Sequence, residues 1–240
     1  MEKHEISITT DSGTYPLVRE VDAISSVSGG SFTAAYYGLN GEATFDTFED
    51  EFLRYDIASG LKYRLLNPIL CFSRKSRTEM AIEYYDKLLF HGDRFSDFQT
   101  VDGPLIIINA TDLGAGVRFS FLQEYFDLIC ADLSTFPVSR AVAASSAVPL
   151  VFNPVVLKNY AGCDSLSAAY LAETRAQIAD SPVMEDVTQG LASYSDKEGR
   201  RYIHLVDGGR CLQRADFPIF CCYLGGCFSL TPFGNGSQQQ

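Results

Sequence analysis

Apolar and polar positions along the chain alternate in blocks that predict strands and helices in turn. Residues 21–27, of which four of the seven are apolar, predict a short buried strand, and residues 32–39, rich in small and aromatic side chains, predict a helix directly after it. In residues 44–57 three phenylalanines recur at helical spacing, which predicts an amphipathic helix. The first part of the chain therefore predicts a strand followed by two helices.

The same alternation continues through the rest of the chain. Ser76 and Glu79 have the spacing of a capping box, which predicts the start of a helix. The strand predicted at residues 104–109 is continuously apolar up to Asn109, as the central strands of parallel sheets are. A helix over residues 140–147 and a strand over residues 202–206 complete the pattern. Strands that alternate with helices predict an α/β domain whose mainly parallel sheet is covered by helices on both faces.

Composition narrows the classes of protein that this chain can belong to. Its 240 residues are enough for one domain with a sizeable core. The net charge of −11 argues against general binding to nucleic acid, which requires a dominant basic surface. No apolar run approaches the ~20 residues of a transmembrane helix, and the first residues lack the apolar middle of a secretory signal. We therefore expect no membrane-spanning segment in this chain.

The seven cysteines do not suggest a metal site or a disulfide framework. Seven is an odd number, and no Cys-x-x-Cys pair occurs. Without that spacing a zinc site is not indicated, and chains of this size rarely need a framework of disulfides. We expect most of these cysteines to be buried thiols.

Polar residues follow several of the predicted strands at their carboxyl ends, where α/β sheets collect reactive groups. Ser28 follows the first strand, residues 109–112 follow the central one, and Asp207 follows the last. These positions are the candidates for chemistry.

Ser28 lies between the first strand and the helix after it. The segment from Ser26 through Gly29 and Gly30 resembles the Gly-x-Ser-x-Gly turn of serine hydrolases, except that its first glycine is Ser26. A strand-to-helix turn exposes the serine side chain and leaves the first amides of the helix free to bind an oxyanion. Small residues around a serine are also common in ordinary loops, so a tight turn without chemistry is the alternative interpretation.

A nucleophilic serine needs a base within hydrogen-bonding distance. His204 and Asp207 are three residues apart on a predicted strand, so their side chains point to opposite faces. Asp207, followed by Gly208 and Gly209 at the strand end, is the candidate for a direct base. Two alternatives stay open: Asp207 forms a simple Asp-Gly turn, or His204 acts as base with an earlier acid such as Asp164.

Four segments follow one another along the chain: Ser-Val-Ser-Gly-Gly-Ser at residues 26–31, Ile-Asn-Ala-Thr-Asp-Leu at 108–113, the stretch at 136–147, and His-Leu-Val-Asp-Gly-Gly at 204–209. Together they resemble the patatin-like phospholipases, in particular their bacterial branch. The likeness extends over residues 21–209. The ordered combination of these segments is more specific than any one of them.

The resemblance implies a three-layer α/β/α fold and hydrolysis of acyl esters, of phospholipid or of another lipid. It implies a Ser-Asp dyad without histidine, an acyl-enzyme intermediate, and no metal or organic cofactor. Ser28 would be the nucleophile, Asp207 the base, and the amide of Gly29 part of the oxyanion site. Asn109 and Asp112 would contribute to substrate binding. The compartment stays open on the sequence alone, and a bacterial protein at a membrane surface or in the cell envelope is the expectation.

Two departures from the family pattern affect the expected domain. The family has a glycine-rich oxyanion loop after its first strand, but no Gly-Gly pair occurs in the 27 residues before Ser28. After Gly209 the family continues with an Asp-Asn pair, which is missing here. We therefore expect residues 1–209 to form an acyl-hydrolase domain that lacks its first strand and this loop. Residues 210–240 are expected to be a divergent tail, disordered or non-native.

A basic segment interrupts the acidic chain at residues 57–78. It has no acidic residue and carries +5, so the rest of the chain carries −16, and apolar residues are interleaved with the charges. Basic and apolar side chains together favour adsorption to an anionic lipid surface. The segment predicts peripheral membrane contact, and its alternative interpretation is a solvated helix face.

Three functions stay open on the sequence alone. The first is a lipid acyl-ester hydrolase that uses Ser28 and Asp207. The second is a catalytically silent protein that binds lipid surfaces on the same scaffold. The third is a Ser-His-Asp esterase that uses His204.

Overall fold

The structure is a computed structural model that describes residues 7–10, 13–54, 76–98, 103–149, 151–163, 171 and 182–209. The described strands are β1 (Ser7–Thr10), β2 (Gly13–Pro16), β3 (Ala23–Val27), β4 (Leu105–Asp112), β5 (Val117–Ser120), β6 (Val155–Lys158) and β7 (Tyr202–Val206). The described α-helices are α1 (Gly30–Asn40), α2 (Thr44–Phe48), α3 (Arg77–Tyr85), α4 (Phe95–Phe98), α5 (Gln123–Leu128), α6 (Val138–Ser145) and α7 (Pro182–Ala192).

Most of the strands form one mixed sheet. Hydrogen bonding links β3 to β4, β4 to β7 and β7 to β6, with β5 also paired to β4, whereas β1 and β2 form a separate antiparallel pair. Only β3 and β4 are parallel among the described strands of this sheet; the other three pairs are antiparallel. The α/β class is confirmed, and the expected mainly parallel arrangement is corrected to a mixed one. Alternation of strands and helices does not reveal direction, because a short connection such as residues 113–116 returns β5 antiparallel to β4.

The hydrophobic core surrounds β4. Ile106, Ile108 and Ala110 on this strand are at most 4% exposed, since it has neighbours on both edges and helices against its face. Helices α1 and α6 pack against β4 and against each other. α1 begins and α6 ends close to the carboxyl-terminal half of β4, and the two helices position the polar residues there.

Local signals predicted where several elements begin. The helix expected at residues 32–39 begins two residues earlier at Gly30, and the strand expected at 104–109 extends to Asp112. Ser76 caps α3 as predicted, accepting a hydrogen bond from the Glu79 amide at 3.1 Å. The Glu79 carboxylate instead binds Arg140 of α6 through both of its oxygens, at 2.8 Å each.

The amphipathic helix expected at residues 44–57 is described up to residue 54. It consists of α2 and a π-helical turn, Glu49–Leu53, that continues it. Phe48 and Phe52 pack in the core, where their rings stack with 4.9 Å between the centroids, whereas Phe45, the third phenylalanine of the predicted face, is 52% exposed. Most of the basic segment, residues 57–75, and the expected tail, residues 210–240, lie outside the described residues. None of the described helices combines the length and apolar character needed to cross a membrane.

Two of the cysteines, which were expected to be buried thiols, form a disulfide instead. Cys130 and Cys163 are bonded to each other, with their Cα atoms 5.4 Å apart. The chain segments that carry them also meet through the backbone, since the Tyr160 amide donates to the Ile129 carbonyl at 3.0 Å. Cysteine spacing could not predict this pair, because the contact depends on how the end of α5 packs against the loop after β6.

Candidate active site

Strands β3 and β7 lie end to end along one edge of β4. β3 pairs in parallel with β4 up to Asn109, whereas β7 pairs antiparallel with Thr111 and Asp112. β5 pairs with residues 109–112 and therefore occupies the opposite edge. The carboxyl ends of β3 and β7 consequently approach each other from opposite directions, and they meet beside Ala110.

The residues that follow these two strand ends are Ser28 and Asp207. Ser28 Oγ donates a hydrogen bond to Asp207 Oδ2 at 2.9 Å, across a sequence separation of 179 residues. Both residues are half-buried, so the pair is packed on one side and accessible on the other. The structure brings together the two residues that the sequence analysis selected as nucleophile and base, and those roles remain predictions.

The backbone at Ser28 is in the left-handed region, with a φ of 54°. Non-glycine residues rarely adopt this conformation, which costs of the order of 1–3 kcal/mol and persists where the surroundings hold it. The turn sends the chain from β3 directly into α1, and it directs the Ser28 side chain to the strand ends. The local geometry is that of a sharp strand-to-helix turn with a serine at its apex.

The amide of Gly29 lies beside the Ser28 hydroxyl, at the start of α1. It is exposed, and the described part of the chain pairs no acceptor with it. A Cβ atom at Gly29 would meet nothing within 4 Å. The first amides of a helix favour negative charge. This position therefore combines a free donor with open space for an approaching oxygen atom.

The carboxylate oxygen of Asp207 that does not face Ser28 is also hydrogen-bonded. Its Oδ1 accepts a hydrogen bond from the Gly209 amide at 2.7 Å, which leaves Oδ2 directed at Ser28. The Asp207 amide donates to the Ala147 carbonyl at 3.0 Å, and the Thr111 hydroxyl donates to the Asp207 carbonyl at 2.9 Å. These contacts fix the backbone and the carboxylate orientation together.

Gly208 is confined by the neighbouring strands. A Cβ atom there would lie 2.7 Å from the Asn109 carbonyl oxygen and 2.9 Å from Cγ1 of Val27. Both distances are below van der Waals contact. Only glycine fits where the chain leaves β7 and passes beside the end of β3.

Ser26 and Gly30 are the remaining residues of the predicted serine turn. Ser26 is 3% exposed, and its hydroxyl donates to the Ile107 carbonyl of β4 at 3.2 Å. The serine at the position where the turn pattern has glycine is therefore buried inside the sheet. Gly30 is the first residue of α1.

Asn109, expected to bind substrate, has its side chain engaged inside the protein. Its Nδ2 donates to the hydroxyl of Ser25 and the carbonyl of Ser26, at 3.0 Å each. Its Oδ1 accepts from the Ser120 hydroxyl at 2.7 Å. The side chain is 3% exposed and joins β3, β4 and β5. These contacts stabilise the pairing of the three strands, and direct contact of Asn109 with substrate stays a prediction.

Asp112, the other expected substrate-binding residue, is fully buried in an ion pair. Its Oδ2 accepts from Arg200 Nη2 at 2.6 Å and from the Tyr194 hydroxyl at 2.9 Å, while Oδ1 accepts from the Gly114 amide at 2.9 Å. Burial raises the pKa of Tyr194 well above its usual value, and the Asp112 charge adds to that increase. The described contacts give Asp112 a structural environment, and its part in substrate binding is likewise still a prediction.

His204 lies on β7 with an exposed side chain, opposite Val156 of β6. Within the described residues it makes no hydrogen bond to Ser28 or Asp207. The Ser28 hydroxyl already donates to Asp207. The described geometry favours the aspartate over this histidine as the base.

Ser145, at the end of α6, was missed by the sequence analysis. Its hydroxyl lies 2.9 Å from the Ser28 amide nitrogen, 2.8 Å from Ser31 Oγ and 2.6 Å from the Asn109 carbonyl oxygen. Residue 145 falls in a run of alanines and serines that resembles the family, but nothing in that run distinguishes one serine from the next. The contact with Ser28 exists only after α6 packs against β4.

Comparison with known proteins identifies one family. The model of the family described as patatin-like phospholipase matches residues 13–211, most of the chain and all of the site described above. No curated protein and no solved structure matches the chain. The match confirms the predicted family resemblance and, with it, a patatin-like α/β fold.

Proposed function

Because this chain belongs to the patatin-like phospholipase family, whose members are lipid acyl hydrolases, we propose that it hydrolyses lipid acyl esters with Ser28 as nucleophile and Asp207 as base. The observation that carries the proposal is the 2.9 Å hydrogen bond from Ser28 Oγ to Asp207 Oδ2. The substrate class is phospholipid or another lipid acyl ester, as the family indicates.

The first half of the reaction acylates the enzyme. Ser28 Oγ attacks the carbonyl carbon of the ester while its proton passes to Asp207 Oδ2. The electron pair of the carbonyl bond moves to its oxygen, and the Gly29 amide donates a hydrogen bond to this oxyanion. When the carbonyl re-forms, the bond to the leaving alcohol breaks and the alcohol oxygen takes the proton from Asp207. The acyl group stays on Ser28.

The second half releases the fatty acid. A water molecule takes the place of the departed alcohol, and Asp207 accepts its proton as the oxygen attacks the acyl carbon. Collapse of the second oxyanion breaks the bond to Ser28, whose oxygen recovers the proton from Asp207. All of these steps use one carboxylate, one hydroxyl and backbone amides of this chain.

Preorganisation is what the described contacts contribute to this chemistry. The Gly209 amide occupies one oxygen of Asp207 and leaves the other directed at Ser28. The left-handed backbone of Ser28 keeps its hydroxyl at the strand ends before substrate binds. Groups held in the reactive geometry need little rearrangement in the transition state.

Covalent labelling by a fluorophosphonate, followed by peptide mass spectrometry, tests the proposal. We expect the label on Ser28 and turnover of a short nitrophenyl ester, because both need an exposed hydroxyl and a working base. Ser28→Ala should abolish both signals. His204→Ala is the matched control and should keep both signals near those of the unmodified protein.

Each other outcome identifies a different function. Loss of activity in His204→Ala would favour the Ser-His-Asp esterase. Binding to lipid vesicles without labelling or ester turnover would favour the catalytically silent lipid-binding protein.

Peripheral membrane contact through residues 57–78 is part of the same proposal. Residues 57–75 lie outside the described part of the chain, and Arg77, which begins α3, is exposed. Five basic side chains near an anionic surface would each contribute roughly 1 kcal/mol to binding. Replacing them with glutamine should weaken binding to anionic vesicles while hydrolysis of a soluble ester is retained. Unchanged vesicle binding would remove this part of the proposal.

A further inference from the structure

We propose that Ser145 is a positioning residue that holds the Ser28 turn in its reactive conformation; the inference rests on the proposed function. Ser145 does not reach the Asp207 carboxylate in any described contact. It acts on the backbone of Ser28, whose amide donates to Ser145 Oγ at 2.9 Å.

The direction of each hydrogen bond at Ser145 follows from its surroundings. The Asn109 carbonyl, 2.6 Å away, can only accept, so it takes the single proton of the Ser145 hydroxyl. The Ser28 amide can only donate, so it occupies one lone pair of Ser145 Oγ. Ser31 must then donate its hydroxyl proton to the second lone pair, at 2.8 Å. The Ser145 hydroxyl thus donates one hydrogen bond and accepts two, which is all that it can form. None of the three can exchange its donor and acceptor.

Burial makes this arrangement rigid. Ser145 and Ser31 are both 0% exposed and Asn109 is 3% exposed, so water does not replace a missing partner. Removing one partner of a buried hydrogen bond leaves the other unsatisfied and costs about 1–3 kcal/mol. The Ser28 amide belongs to a residue with a φ of 54°, a conformation that surrounding contacts have to maintain.

The three partners of Ser145 come from the three elements that meet at the site. Ser28 follows β3, Asn109 lies on β4, Ser31 lies in the first turn of α1, and Ser145 itself ends α6. One hydroxyl therefore sets the position of the nucleophile's backbone relative to the strand that also aligns β7 and Asp207.

The test compares Ser145→Ala with Ser146→Ala. Ser146 follows Ser145 directly, and its hydroxyl donates to the Val142 carbonyl of α6 at 2.8 Å, away from Ser28. Fluorophosphonate labelling taken to completion counts reactive sites, and kcat for a short nitrophenyl ester is expressed per labelled site. We expect kcat in Ser145→Ala to fall about 10- to 100-fold with KM nearly unchanged. Ser146→Ala should stay close to the unmodified protein.

A role limited to folding would give a different result. It would lower the number of labelled sites and the thermal stability, but each labelled site would keep its full kcat. Equal kcat per site in Ser145→Ala and Ser146→Ala would overturn the proposal.

Hydrogen exchange of the Ser28 amide, measured by NMR, tests the contact without using activity. We expect Ser145→Ala to accelerate this exchange about tenfold or more, and Ser146→Ala to leave it unchanged. If the unmodified protein neither reacts with the fluorophosphonate nor hydrolyses the ester, the proposed function fails. The amide exchange then decides whether Ser145 holds the turn, and unchanged exchange in Ser145→Ala rejects that role.

Discussion

Gly208 lies so close to Asn109 that a Cβ atom on the glycine would come within 2.7 Å of the Asn109 carbonyl oxygen. This close approach occurs where the chain leaves β7 and passes the end of β3. It keeps Asp207, one residue earlier, beside Ser28. The contact between Ser28 and Asp207 therefore depends on a residue that has no side chain.

We expect Gly208→Ala to displace Asp207 from Ser28. The added methyl group meets backbone, which cannot move aside as a flexible side chain would, so stability should fall by about 1–3 kcal/mol. Ester hydrolysis should fall with it. Urea unfolding and nitrophenyl ester turnover measure the two effects. Gly103→Ala, where a Cβ atom would meet nothing within 4 Å, is the matched control.

Asp207→Asn should remove the proposed base while preserving the shape of the site. The asparagine amide can still occupy the position between the Gly209 amide and the Ser28 hydroxyl, but it cannot accept the serine proton. We expect kcat to fall about 10²- to 10⁴-fold while Tm stays near that of the unmodified protein. A variant that folds normally and retains its kcat would show that Asp207 is not the base.

The buried ion pair of Asp112 supplies a prediction about stability. Tyr194→Phe removes the hydroxyl that donates to Asp112 Oδ2, so the buried carboxylate loses one of its three partners. We expect a loss of about 1–3 kcal/mol in the free energy of unfolding, with KM unchanged. Tyr160→Phe, at an exposed tyrosine, is the control. A raised KM in Tyr194→Phe would instead connect Asp112 with substrate binding.

Asp93 makes stability depend on pH. Burial raises the pKa of Asp93 above its usual value, and the neighbouring Asp97 and Asp86 charges add to the increase while His91 opposes it. The Asp93 carboxyl group therefore binds its proton more tightly in the folded protein than in the unfolded chain. Above the pKa of Asp93 in the folded protein, its ionised carboxylate destabilises the fold to the full extent. This destabilisation is lost as the pH falls toward about 3.8, the pKa of the group in the unfolded chain.

Asp93→Asn should consequently stabilise the protein at neutral pH. The gain should shrink as pH is lowered toward about pH 4, where the aspartate becomes protonated. Urea unfolding midpoints of both proteins, measured across this pH range, test whether the stabilisation decreases as the pH falls. Glu198→Gln, an exposed position, should show no comparable gain. A stabilisation by Asp93→Asn that increased at lower pH would contradict a raised pKa of Asp93 in the folded protein.

The disulfide closes a loop between positions 33 residues apart. Reduction should lower the free energy of unfolding by about 2–4 kcal/mol, because the unfolded chain gains freedom when this loop opens. Cys130→Ala should reproduce the loss and no longer respond to reductant. Non-reducing peptide mapping of the unmodified protein should find the Cys130 and Cys163 peptides linked. Free thiols at both positions would contradict the pairing.

Much of the local structure was predictable because it depends on near neighbours in sequence. The cap at Ser76 follows from two residues three positions apart, and the strand at β4 follows from an apolar run. Ser28 and Asp207 were selected because each follows a predicted strand and is next to glycines, and the family match covers both. Chain order and short-range periodicity carry this information.

Tertiary structure alone decided which of these groups meet. The register of β3 and β7 on one edge of β4 places Ser28 beside Asp207, and the packing of α6 places Ser145 under the Ser28 amide. These contacts join residues 179 and 117 positions apart. No local pattern encodes the edge of a strand that a distant segment will occupy, because that choice depends on the packing of all the elements together.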